Sequence, residues 1–142
     1  MQPVANVAES REREAAIMLG KAQLELQSQV ARLQELSNYH AEYQQRFERS
    51  GTLGINAVQI QSFLSFLANL QKAVDQQKVV ISQAEARVEQ KKQVWFTLRG
   101  KLRAIDTIVD NYRCLEQKEQ DKLEQKIIDE LAQRMSKSRD RS

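Results

Sequence analysis

The sequence predicts an all-α protein: two long helices forming an antiparallel coiled-coil hairpin, the second helix longer and overhanging. Three observations carry that prediction. The 142 residues include only four Gly, one Pro and one Cys, too few turn formers for the frequent reversals of a sheet protein. Gln, with 19 copies, and the other good helix formers dominate the rest. Finally, apolar residues recur at alternating steps of three and four on both sides of a single break.

Before the break the spacing runs through Ala15, Leu19, Ala22, Leu26, Gln29, Leu33, Leu36, His40, Tyr43 and Phe47, with eight of the ten positions apolar. After it the spacing runs through Ile60, Phe63, Leu67, Leu70, Val74, Gln77, Ile81, Ala84, Val88, Lys91, Trp95, Leu98, Leu102, Ile105, Val109 and Tyr112, with fourteen of sixteen apolar. A period of 3.5 held this long specifies a left-handed coiled coil. The break itself, residues 50–54, holds two glycines. Gly51 is placed to follow a helix C-terminus, and Asn56 to cap the next helix. Gly20 and Gly100 sit inside helical patterns and need not end them.

These signals place the first helix at about residues 8–49, the turn at 50–54 and the second helix at about 55–136. A polar tail over 137–142 is expected to fray, and residues 1–142 form a single coiled-coil domain. The helices would be about 60 Å and about 120 Å long. A five-residue connection forces them antiparallel. With Phe47 set against Ile60, the layers pair Tyr43 with Phe63, Leu33 with Val74, Leu26 with Ile81 and Ala15 with Lys91. In that register Gln29 meets Gln77. An amide facing an amide can bond, so the layer is either a register lock or a pair of tolerated polar residues reaching for water. The hairpin partner runs out near Ala8. Beyond it, Ile108, Leu115, Leu123, Ile127, Leu131 and Met135 continue an apolar stripe with no intramolecular cover, which calls for an external partner or self-association.

The composition excludes several functions. A net charge of +3 from 22 bases and 19 acids is too mild to imply nucleic acid. Cys114 cannot form an internal disulfide. No apolar leader opens the chain, and its longest uncharged stretch, residues 50–71, is broken by Asn and Gln. The expectation is a soluble, cytoplasmic protein without a transmembrane segment. One His on a seam position, no metal-ligand spacing and no phosphate loop predict a protein that is not an enzyme, with no catalytic, metal or cofactor residues.

Two surface features stand out. On one flank of the coil Tyr39, Phe66, Ala73 and Val80 occupy positions that usually carry charge, and pairing is expected to bring Tyr39 beside Phe66. Such a strip is either an interface or a wider core. Residues 87–103 carry Arg87, Lys91, Lys92, Arg99, Lys101 and Arg103 against Glu89, with Trp95 among them. That stretch is either a solvated face balanced by Glu9, Glu12 and Glu14 or a contact for an acidic partner.

The run from Leu36 through Tyr39 to Tyr43 matches an L-x-x-Y-x-x-x-Y pattern, and Phe66, Leu70 and Ala73 match F-x-x-x-L-x-x-A. With the length and the helix-break-long-helix layout, the chain resembles the flagellar FliJ proteins of the type III export apparatus. Gln77 stands where some relatives carry His. The resemblance implies a coiled coil similar to the stalk of rotary ATPases, peripherally associated with the inner-membrane export apparatus. Its open end would promote assembly of the hexameric export ATPase (FliI-like) through Arg87, Lys91, Lys92, Arg99, Lys101, Arg103, Leu123, Ile127 and Leu131. Its tip would contact the linker of the export gate protein (FlhA-like) through Leu36, Tyr39, Tyr43, Phe66, Leu70, Ala73 and Gln77. Escort of export chaperones is a further implication. The alternatives are an injectisome stalk protein, a generic scaffold dimerising through residues 100–136, and a basic coiled coil on nucleic acid.

Overall fold

The computed structural model describes residues 2–51, 54 and 56–140. It contains two helices, α1 (Gln2–Gly51) and α2 (Ala57–Asp140), of 50 and 84 residues. They pack against each other as the heptads predict, and among the described residues there is no strand. Both helices outrun the expected limits. α1 begins six residues earlier because Pro3 lies in its first turn, where the missing N–H would have had no helical acceptor anyway. α2 continues through Asp140 rather than fraying after residue 136, with Lys137 and Arg139 in its last turn beside the negative end of the helix dipole.

The reversal is fixed at two points. Gly54 takes φ +76°, a left-handed conformation that other residues adopt at a cost. Asn56 then caps α2: its Oδ1 accepts from the N–H of Gln59 at 2.8 Å, and its carbonyl accepts from Ile60 N–H at 3.1 Å. The expected cap is therefore present. Gly51 is the last helical residue, and the left-handed turn falls at Gly54 instead. Thr52 and Leu53 of the expected turn, and residues 141–142 of the expected tail, lie outside the described residues.

The chain groups into two compact units, one of residues 11–98 and one of residues 1–10 with 99–142. In the first unit the seam is as the spacing dictates. Ala15, Val74, Gln77, Ile81 and Ala84 are buried, and the remaining predicted seam residues from Leu19 to Leu98 are half-buried. A two-helix coil has one layer of core, so flanking positions stay wet. In the second unit Ala5 is buried, and Ala8, Leu102, Ile105 and Val109 are half-buried, so α1 covers its partner beyond the expected limit at Ala8. From residue 110 to 139 every residue is exposed.

A helix without tertiary cover must be held by its own side chains. Here Gln117 donates to Asp121 and Gln125 to Asp129, at 3.1 and 3.0 Å. Such i,i+4 pairs contribute about 0.2–0.5 kcal/mol each.

Candidate functional site

The hairpin unit carries two polar contacts across its seam. The side-chain amide of Gln77 donates to Oε1 of Gln29 at 2.7 Å and to the Gln29 backbone carbonyl at 2.9 Å. The Gln29 amide in turn donates to Glu25 at 2.8 Å. Nearer the open end, the Trp95 indole N–H donates to Oε1 of Glu12 at 2.8 Å. The two contacts join residues whose numbers total 106 and 107, the register that the heptads require. Glu12 was expected only as part of a solvated acidic cluster. The signal that marks it is the same 3-4 spacing carried back from Ala15 through Glu12 and Ala8 to Ala5.

The tip holds an aromatic cluster. Tyr43 meets Phe66 with ring centroids 4.6 Å apart and Phe63 at 6.0 Å, while Phe47 stacks on Phe63 at 5.1 Å. The Arg46 guanidinium lies 5.4 Å from the centroid of Tyr43, within cation–π range. One expected pair is thereby corrected: Phe66 packs on Tyr43 rather than beside Tyr39, whereas Tyr43 meets Phe63 as the register predicts. Helical side chains lean toward the N-terminus of their own helix. On α2 that direction is toward the tip, and on α1 away from it. Rings from the two helices therefore also meet about one turn away from the backbone-level pairing. Tyr39 leans away from Phe66 and is 56% exposed.

Of the other residues expected at the gate-binding strip, Leu36, Leu70 and Ala73 are half-buried and Gln77 is buried. Leu36, Ala73 and Gln77 come together with Val80 in a groove of about 390 Å³, where Arg32 and Gln76 join them. Tyr39 instead lines a neighbouring surface with Glu35, Asn38 and Glu42. Arg32 and Arg46 escaped the sequence reading because they sit on the flank of α1, where charge is the ordinary choice.

The residues expected at an ATPase contact fall in both units. In the hairpin unit Arg87 and Lys92 are exposed and Lys91 is half-buried on the seam. The Lys92 ammonium lies 5.9 Å from the Phe96 centroid. In the other unit Lys101 and Arg103 are exposed and Arg99 is half-buried. Leu123, Ile127 and Leu131 in that unit are 60%, 56% and 52% exposed, as expected of a stripe its own chain does not cover. Among the described residues no helix is long and apolar enough to cross a membrane.

The geometry of unit 11–98 defines a class of protein, a coiled-coil hairpin with polar contacts in its seam and an aromatic tip. The chain matches the family model described as flagellar FliJ protein over residues 1–141, and it belongs to that family. It is 25% identical over 134 residues to the flagellar FliJ protein of Salmonella typhi, covering 94% of this chain and 91% of that one. To the flagellar FliJ protein of Escherichia coli strain K12 it is 26% identical over 129 residues, covering 91% and 88%. No solved structure matches it.

Proposed function

We propose that the protein is a non-catalytic stalk and adaptor of the flagellar type III export apparatus, in the cytoplasm at the inner membrane. It promotes assembly of the export-ATPase hexamer and couples that hexamer to the export gate. The observation that carries this reading is the uncovered apolar stripe of α2. Ile108, Leu115, Leu123, Ile127, Leu131 and Met135 are each more than half exposed along α2.

Burying one such side chain is worth about 1.5–3 kcal/mol. A helix that finds this burial only inside an assembled ring binds the hexamer and not its separated subunits. By mass action it then stabilises the hexamer by the free energy of that binding. The basic residues Arg87, Lys91, Lys92, Arg99, Lys101 and Arg103 favour acidic surfaces on the same partner. At the tip, the ring cluster and the Leu36–Ala73–Val80 groove are built from both helices and offer an apolar site with a cationic rim to the gate linker.

The test is stimulation of the purified export ATPase, scored with hexamer formation, by the full chain and by residues 1–112. The shortened chain keeps every layer of the hairpin unit and should remain helical. It should fail to stimulate. Full stimulation by residues 1–112 would overturn the stalk assignment of the overhang.

A further inference from the structure

We propose that Glu25, Gln29 and Gln77 on one side and Glu12 and Trp95 on the other form a two-point clasp that fixes the register of the hairpin. The clasp prevents α1 and α2 from sliding past each other by a heptad. It concerns unit 11–98 alone and holds whichever partners the protein binds.

A regular 3-4 seam has an inherent ambiguity. Sliding one helix by seven residues restores an apolar seam, displaced by about 10.5 Å. Apolar layers alone distinguish the two registers weakly, because Leu, Ile and Val layers replace one another at small cost. The seam here is thin in shape information as well: Ala22 faces Ala84, and Ala84 is only 1% exposed. Polar groups break the degeneracy. Slipped one way, Gln77 would face Leu36, Gln29 would face Ala84 and the Trp95 indole N–H would face Leu19. Slipped the other way, Gln77 would face Ala22, Gln29 Leu70 and the Glu12 carboxylate Val88. In both cases each of these groups exchanges a hydrogen bond for an apolar neighbour, and an unpaired polar group in a seam is disfavoured.

The structure assigns separate roles within the first contact. Gln77 is 7% exposed and donates twice, to the side chain and to the backbone of Gln29. The amide of Gln29 must present its oxygen to the seam for this to happen. Glu25, one turn earlier and outside the seam, accepts the Gln29 N–H at 2.8 Å and so turns the carbonyl inward. Glu25 is thus a positioning residue. The second contact stands 17 positions away on α1, about 25 Å. Two separated points hold a rod against sliding and against rotation where one would hold it only locally.

The test is disulfide trapping in the full chain with Cys114→Ser, because a seam pair cross-links only when its Cα atoms lie within about 7 Å. Leu33→Cys with Val74→Cys reports the native register, and a second disulfide, from Leu33→Cys to either Ile81→Cys or Leu67→Cys, reports the register one heptad away in one direction or the other. The parent should form only the first disulfide. Gln29→Leu/Gln77→Leu with Trp95→Phe should remain helical by circular dichroism and raise the second disulfide by roughly tenfold or more. Glu25→Ala should give an intermediate yield. A second disulfide that stays at the parent level in the triple variant overturns the proposal, since the turn at Gly54 and the apolar layers would then set the register alone. A parent-like yield in Glu25→Ala removes Glu25 from the clasp.

Discussion

Trp95 and Glu12, 83 residues apart in sequence, are joined by a 2.8 Å hydrogen bond from indole to carboxylate across the hairpin. The chain holds a single Trp, so its fluorescence reports on the surroundings of this one indole, whose ring centroid also lies 5.1 Å from that of Phe96. Glu12→Ala leaves a half-buried N–H without this acceptor and should cost about 1 kcal/mol. The expected outcome is a lower melting temperature with a shifted emission maximum. Trp95→Phe, which keeps the ring and removes the donor, should lower the melting temperature by a similar amount. An unchanged melt for both variants would show that solvent satisfies these groups equally well.

Removing one seam glutamine and removing both should have opposite signs. Gln29→Leu alone takes away the side-chain acceptor of a Gln77 amide that is only 7% exposed, and should destabilise by about 1–2 kcal/mol. Gln29→Leu/Gln77→Leu replaces the layer by an apolar one and should melt above the parent. Thermal denaturation of these two variants and of Gln77→Leu alone, read as a double-mutant cycle, measures the coupling.

Gly20 and Gly100 lie inside α1 and α2, and a Cβ built at either position meets nothing within 4 Å. Neither glycine serves a turn or a close approach. Gly20→Ala and Gly100→Ala should each raise stability by about 0.5–1 kcal/mol, through the lower helix propensity of glycine. Denaturant midpoints check this. Destabilisation by either substitution would point to a need for bending there.

Tyr39 and Phe66 should now behave differently. Phe66 packs against Tyr43 with the two rings tilted, so Phe66→Ala should cost about 1–2 kcal/mol of fold stability along with any loss of gate binding. Tyr39 is 56% exposed, so Tyr39→Ala should leave stability within about 0.5 kcal/mol of the parent. Reduced affinity of Tyr39→Ala for the gate linker, with an unchanged melt, would identify it as an interface residue. Undiminished affinity would remove it from the tip site.

The reach of the sequence is clear from where these expectations stand. The pairing of Gln29 with Gln77 was legible because heptad arithmetic fixes backbone register, and the hydrogen bond followed from an amide meeting an amide. The pairing of Phe66 was not, because a 3.5-residue repeat says which side chains face the seam but not how far they lean along it. A long aromatic ring reaches a full turn, so Tyr43 displaced Tyr39. Glu12 stayed hidden for a different reason: a charged residue at a seam position reads as the end of the pattern until an indole partner is found. The early start of α1 was masked by Pro3, which breaks a helix in its interior and is welcome in its first turn.

The seam of unit 11–98 has a consequence for how such a stem can change length. Each layer touches only the layers above and below it, so its stability accumulates locally, as in a repeat array. Seven residues inserted into α1 and seven opposite them in α2 would lengthen the stem by about 10.5 Å and leave every other layer with its own neighbours. Seven residues inserted into one helix alone would mispair all the layers on one side of the insertion. The reach of the stem is therefore a quantised property, adjustable only in matched steps of one heptad per helix.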